Sequence, residues 1–188
     1  MSSRRLLLSR HGQTAWNAIG KLQGHTDIAL DDTGRGQARA LAEQVRTAGL
    51  GAVWTSDLSR ARETGEIVAS VLGLPAPHVE AGLRERKFGI FEGLTRTECA
   101  ERHPDHWAAW QAQTKAPPGG EPVSDAVARM EAALATIALS AVEGAILVVS
   151  HGGLMRLWLQ DLHGRQLPLI ANGAVHAVDH DGVRFRPG

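Results

Sequence analysis

Two histidines and two arginines stand just past short apolar runs in this chain. Leu6-Leu7-Leu8 leads into Ser9-Arg10-His11-Gly12, and Ala52-Val53-Trp54-Thr55-Ser56 leads into Asp57-Leu58-Ser59-Arg60. A third run, Ala145-Ile146-Leu147-Val148-Val149, leads into Ser150-His151-Gly152-Gly153. An imidazole can act as base or nucleophile, and a guanidinium fork matches phosphate oxygens in pairs. If the three runs are parallel strands of one sheet, their ends share an edge, the edge where ligands bind in such sheets. Arg10, His11, Arg60 and His151 would then converge on one pocket suited to a dianion. Gly12 permits a sharp turn and leaves its amide open to a ligand. Helices beginning close behind Arg60 and behind Gly152-Gly153 would add free N–H groups to the anion site.

The nucleophile follows by elimination. Cys99 lies elsewhere, in a segment that reads as helix. Ser9 and Ser150 lack the Gly-x-Ser-x-Gly elbow. A metal phosphatase would need carboxylates clustered with histidines, and only Glu85 is nearby. The remaining histidines show no paired metal-ligand spacing, and Pro104 separates His103 from His106. No metal and no cofactor is therefore expected. That leaves an imidazole, which attacks phosphorus when neutral and gives a phosphohistidine that water hydrolyses. Arg10 and Arg60 oppose protonation of His11 and can stabilise the equatorial oxygens of a transferring phosphoryl group. The leaving alkoxide needs a proton, and Glu85 is the carboxyl group assigned to it; a bound phosphate dianion would favour its protonated form. Two plainer readings stay open at this level: Glu85 as a solvated partner of Arg86 or Lys87, and His11 as a satisfied core histidine.

These residues need a scaffold. Ala38, Leu41, Ala42 and Val45 repeat at helical spacing within a helix expected over Thr33–Ala48, capped by Asp32 or Thr33. A second helix is expected over Ala61–Leu72, with Ala61, Thr64, Val68, Val71 and Leu72 on one face, stopped by Gly73 and Pro75. A short strand is expected near His78–Glu80, then a charged loop over Gly82–Gly93. Two short helices, Thr95–Arg102 and Asp105–Gln113, are broken by Pro104, with Trp107 and Trp110 on one face as packing residues. Pro117-Pro118-Gly119-Gly120-Glu121-Pro122 reads as a rigid loop. Ser124 should cap a helix reaching Ala141, with Val127, Met130, Leu134 and Ile137 inward. Another helix begins near Leu154, and Ala174–Phe185 reads as a hairpin turning at Asp181-Gly182. Ala18–Asp32 is read as irregular loop. Strands alternating with helices predict one three-layer α/β domain over residues 1–188, its mostly parallel central sheet flanked by helices and followed by a C-terminal hairpin.

Composition narrows the classes. The chain has 188 residues, 43% hydrophobic and 21% charged, with 20 basic and 20 acidic side chains. No global basic field recruits nucleic acid, and no apolar run approaches a membrane span. The single cysteine, Cys99, allows no internal disulfide and fits a reducing compartment. Three leucines after Arg4-Arg5 are too few for a signal peptide, so a cytoplasmic protein is expected. A homodimer is left open.

The stretch Arg10-His11-Gly12-x-Thr14-x-x-Asn17 directly after a strand resembles the histidine phosphatase superfamily, also called phosphoglycerate mutase-like, in its phosphatase branch. Leu30-x-x-x-Gly34-x-x-Gln37-Ala38 and Ser56-Asp57-Leu58-x-Arg60-Ala61 are similar to it as well. The resemblance implies that the nucleophile is His11, the second histidine His151, the pocket arginines Arg10 and Arg60, and the acid Glu85. It places Asn17, Gln23 and Gly24 at phosphate- and substrate-loop positions, with Gly152 beside the phosphate. Two departures stand out. Phe91-Glu92-Gly93 carries Phe where Trp is expected. Gly119-Gly120-Glu121-Pro122 replaces an expected Gly-Gly-Glu-Ser, which removes a hydroxyl and an N–H from the pocket rim. The implied activity is a metal-independent phosphomonoesterase acting on small phosphorylated metabolites. The alternatives are a cofactor-dependent phosphoglycerate mutase and a catalytically silent binding domain. Family mutases are typically longer, with extra cover over the pocket, whereas here only residues 86–118 lie between the acid loop and Gly119-Gly120.

Overall fold

The computed structural model describes residues 3–188. A six-stranded sheet runs in the order β3-β2-β4-β1-β5-β6. Its strands are β1 (Arg4–Arg10), β2 (Leu50–Thr55), β3 (His78–Val79), β4 (Ala145–Ser150), β5 (Val175–His180) and β6 (Phe185–Pro187). The four strands from β3 to β1 are parallel, while β5 and β6 add antiparallel as the expected hairpin. β4 pairs with β1 on one side and β2 on the other, and all six of its residues are buried. That is why it reads as an unbroken apolar run instead of an alternating one.

Helices cover both faces. α2 (Asp32–Val45) and α3 (Ser59–Leu72) bury Leu41, Ala42, Val45, Ala61 and Val68 against Leu7, Val53, Leu147 and Val149. α6 (Val123–Ala138) and α7 (Gly152–His163) bury Met130, Leu134, Ile137, Leu154 and Trp158 against Leu6, Leu8, Ile146 and Val148. Alternate residues of each strand thus serve opposite layers, the period-2 geometry of a sheet covered on both faces. A third, smaller core gathers Phe88, Phe91, Cys99 and Trp107 beneath α4 (Arg96–Arg102) and α5 (Pro104–Gln111). Phe91, where the resemblance expects Trp, is fully buried there, and the Trp107 and Trp110 rings stack at 4.8 Å.

Several boundaries differ from expectation, each for a local reason. Asp31, not Asp32 or Thr33, caps α2, accepting the Gly34 amide at 2.8 Å, and the helix ends at Val45. α3 begins two residues early, so Arg60 lies in its first turn; Ser59 is held there by Asp27, which accepts from its amide at 2.9 Å. Val71 sits on the outer face of α3, 36% exposed. Pro104 occupies the first turn of α5, where its missing N–H costs nothing, so it opens a helix instead of breaking one. Ser124 does not cap α6; its hydroxyl donates to Asp125, Pro122 stands at the cap, and the helix stops at Ala138. Thr14 and Asn17 close a reciprocal capping box around the single turn α1 (Ala15–Ala18). Among the described residues, no helix is long and apolar enough to cross a membrane.

Candidate active site

The three strand ends meet as the parallel sheet requires. Arg10 pairs with Ser150 in register, and the His11 amide donates to the Ser150 carbonyl at 3.0 Å. This sets the His11 and His151 rings side by side, with centroids 5.1 Å apart. Arg60 arrives from the first turn of α3, just past the end of β2. A cavity of about 450 Å³ opens over this edge, lined among others by Arg10, His11, Asn17, Gln23, Gly24, Arg60, Glu85 and Gly152. His151 lies just beneath it, with no exposed surface.

His11 is 3% exposed, and its Nδ1 lies 2.6 Å from the Gly12 carbonyl oxygen. A carbonyl only accepts, so Nδ1 carries the proton and Nε2 keeps its lone pair. Burial pushes the His11 pKa well below the usual 6.5, and the Arg60 and Arg10 charges push it further, against the Gly12 carbonyl. The sequence pointed to the arginines, but burial is the larger cause. His151 is pushed the same way, by burial first and then by Arg60, His11, Arg10 and His25. Both imidazoles therefore stay neutral near pH 7.

The arginines are held from behind. Arg60, with no exposed surface, donates from Nη2 to the Gly24 carbonyl at 2.8 Å and from Nη1 to the Thr26 carbonyl at 3.0 Å. Arg10 donates from Nη1 to the Ile170 carbonyl at 2.6 Å. The loop holding Arg60 is itself organised by Glu92. That carboxylate accepts from the amides of His25 at 3.2 Å, Thr26 at 3.1 Å and Phe88 at 3.0 Å, and from the Thr26 hydroxyl at 2.7 Å. Asn172 donates to the His11 carbonyl at 2.8 Å and to Asn17 Oδ1 at 3.4 Å, tying the floor to the α1 turn. Several buried polar atoms have no protein partner: Arg10 Nε, Arg60 Nε, both His151 ring nitrogens and Gln23 Oε1. The donors among them, Arg10 Nε, Arg60 Nε and one ring N–H of His151, suit a tetrahedral oxyanion.

Glu85 is neither solvated nor paired with Arg86 or Lys87 as an ion pair; it is 8% exposed at the cavity wall. Its Oε1 accepts from the amides of Arg86 at 2.8 Å and Leu154 at 2.7 Å, and its Oε2 from Gly153 at 2.9 Å. The start of α7 therefore grips this carboxyl group. The two glycines there are steric requirements: a Cβ at Gly153 would meet both Glu85 oxygens at 2.8 Å, and one at Gly152 would meet Arg10 Cδ at 2.7 Å.

Neither Glu121 nor Pro122, the residues of the second departure, lines the cavity. Glu121 instead pairs with Arg129 at 2.8 Å and accepts Arg86 Nε at its carbonyl at 2.7 Å. Sequence reasoning missed Asn172, which sits in an irregular loop with no motif. It also missed the outer lining by Lys21, Arg86, Arg96 and Arg156. Lone basic residues scattered over loops and helices carry no signal until a cavity collects them.

Sheet, helices and edge pocket define an α/β protein that presents neutral imidazoles and buried guanidiniums to an anion. The family model for the histidine phosphatase superfamily (branch 1) matches residues 6–187, and the chain belongs to that superfamily. It is 36% identical over 155 residues to phosphoglycerate mutase-like protein 4 of Arabidopsis thaliana, covering 80% of this chain and 67% of that one. It is 33% identical over 178 residues to the metal-independent phosphoserine phosphatase of Arabidopsis thaliana, covering 92% of this chain and 75% of the other. Among solved structures, a mycobacterial glucosyl-3-phosphoglycerate phosphatase in complex with VO3 superposes with a TM-score of 0.85 at 31% identity, over 98% of this chain and 97% of that one.

Proposed function

We propose that this protein is a metal-independent phosphomonoesterase that hydrolyses small phosphorylated metabolites through a phosphohistidine on His11. The observation that carries this reading is the His11 ring: Nδ1 tied to the Gly12 carbonyl at 2.6 Å, which leaves Nε2 as the lone-pair nitrogen at the cavity. Arg10, Arg60 and His151 surround the phosphoryl oxygens. The Nε2 lone pair forms the N–P bond as the P–O ester bond breaks, and Glu85 gives its proton to the departing alkoxide. Oε2, with one amide donor against two at Oε1, has the capacity left to hold that proton. Water then attacks phosphorus, yields its proton to Glu85 and returns the pair to Nε2, releasing inorganic phosphate. Cations in place of metal supply the charge stabilisation. Among the described residues, no group of three or more His, Cys, Asp or Glu side chains is placed to hold a metal ion.

The test is chemical trapping. Quenching with labelled substrate should give an acid-labile, base-stable phosphoenzyme in the wild type and none in His11→Ala, with turnover unchanged by EDTA. Label on a serine or aspartate, or activity that EDTA removes and metal restores, would overturn the reading.

A further inference from the structure

The loop that carries Glu85 has no regular structure to hold it. Residues 84–87 lie between two short 3-10 turns, Ala81–Leu83 and Gly89–Phe91. Four consecutive carbonyls there are taken by side chains from elsewhere in the chain. Arg129 Nη1 donates to Gly82 at 2.7 Å and to Arg84 at 3.0 Å, and the Ser150 hydroxyl donates to Leu83 at 2.8 Å. The carbonyl of Glu85 itself accepts from His25 Nε2 at 2.8 Å, and at a longer 3.4 Å from Arg129 Nη2. A carbonyl only accepts, so His25 Nε2 carries a proton. The short bond to the main chain of Glu85 thus comes from one imidazole, 60 residues away along the chain.

His25 is itself held on both sides. It sits between Gly24 and Thr26, whose carbonyls accept from Arg60 at 2.8 Å and 3.0 Å. Its own amide and that of Thr26 donate to Glu92 at 3.2 Å and 3.1 Å. The peptide unit joining Gly24 to His25 therefore turns its oxygen to Arg60 and its N–H to Glu92. Because that unit is planar, two anchors leave it little freedom to rotate. One short loop thus does two things: its carbonyls hold Arg60, and the imidazole between them holds Glu85. His25 is half-buried and does not line the cavity, so it can act on a substrate only through the groups it holds.

We propose that His25 is a positioning residue for the proton donor, its imidazole fixing the main chain of Glu85 against the loop that holds Arg60. The inference rests on the phosphatase reading, in which Arg60 binds the phosphoryl group and Glu85 protonates the leaving oxygen. Those two groups come from different elements, and their separation must match one bond of the substrate. The amides of Gly153 and Leu154 fix the carboxyl end of Glu85, and His25 fixes its main-chain end. Displacing a catalytic group by about 1 Å can cost on the order of a hundredfold in rate, so a bond outside the cavity reaches the chemistry.

Two substitutions of similar polarity test it. A glutamine amide reaches where Nε2 lies, while an asparagine amide stops where Nδ1 lies. The readout is kcat/KM on phenyl phosphate and 4-nitrophenyl phosphate, which share a ring and differ in how much the leaving oxygen needs a proton. In His25→Asn the phenyl ester should lose about tenfold or more and the nitrophenyl ester less than about threefold. His25→Gln should stay within about threefold of the wild type on both. The main-chain bonds of this loop to Arg60 and Glu92 survive either change, which is why the nitrophenyl ester is spared. Glu85→Gln is measured alongside. If it discriminates between the esters and His25→Asn does not, or if His25→Gln falls as far as His25→Asn, the inference alone is overturned. Equal losses on both esters in Glu85→Gln remove the acid assignment and the inference with it. No hydrolysis of either ester by the wild type strikes the phosphatase reading and all that rests on it. Should a His25 variant not fold by circular dichroism, nitrogen NMR of the wild type decides: a proton on His25 Nε2 supports the bond to Glu85, and a bare Nε2 overturns the inference.

Discussion

The roles proposed for Glu85 and the two histidines rest on what surrounds them. If Glu85 protonates the leaving oxygen, Glu85→Gln should slow an alkyl phosphate about 10²–10⁴-fold and a nitrophenyl ester much less, because a good leaving group needs no proton. Equal losses on both esters, measured as kcat/KM, would remove Glu85 from that role. For His11, burial and the two arginines hold the pKa well below 6.5. After allowance for the substrate's own second ionisation near about 6, the nucleophile proposed here should stay active through and below pH 6.5. An acid limb centred at or above 6.5 in the pH–rate profile would contradict this. The same depression, shared by His151, has a stability sign. Between the folded values and 6.5, the unfolded chain binds more protons than the folded one, so stability rises with pH across that window and is lost as pH falls. Denaturant midpoints between about pH 7 and 5 check it. The identities of these side chains were legible in the sequence because strand ends announce them. The environment of Glu85 was not, because its partners, the amides of Gly153 and Leu154, are backbone atoms remote in the chain.

At the scale of elements, the start of α7 organises the site twice, through Gly152 against Arg10 and Gly153 against Glu85. Gly153→Ala would put a methyl group 2.8 Å from the carboxyl oxygens and displace them. Its activity loss should follow the leaving group as that of Glu85→Gln does, larger for alkyl than nitrophenyl esters, while circular dichroism stays native; a loss blind to the leaving group would place the damage elsewhere. The strands were readable as apolar runs and the longer helices as repeats of small and aliphatic residues. Their ends were less so, since Asp31 caps where Asp32 and Thr33 were as plausible by type, and Pro122 stands at the cap although Ser124 was the better candidate by type. α1 was hidden because a single turn has no periodicity to read, only the Thr14–Asn17 box.

At the scale of the molecule, the cover over the cavity decides between hydrolysis and isomerisation. Between Glu85 and Gly120 the chain forms only α4, α5 and a short 3-10 turn over Gly89–Phe91. A mutase must keep water from its phosphoenzyme while the intermediate reorients. With so little cover, 3-phosphoglycerate supplied with catalytic 2,3-bisphosphoglycerate should release free phosphate faster than it forms the isomer. Isomer outpacing phosphate would favour a mutase. The position of β4 bears on how the molecule comes into being. β1 and β2 are made early and do not touch; β4 enters between them, joining Leu6 to Ile146 and Ala52 to the same residue. During synthesis most of the chain leaves the ribosome before the central strand exists, with both edges of β1 and one of β2 unpaired and α2 and α3 lacking half their floor. The histidine pair that defines the pocket is assembled by the same late insertion. The pocket is therefore not assembled in a nascent chain until the sheet closes, and before closure its unpaired strand edges and uncovered apolar helix faces are exposed.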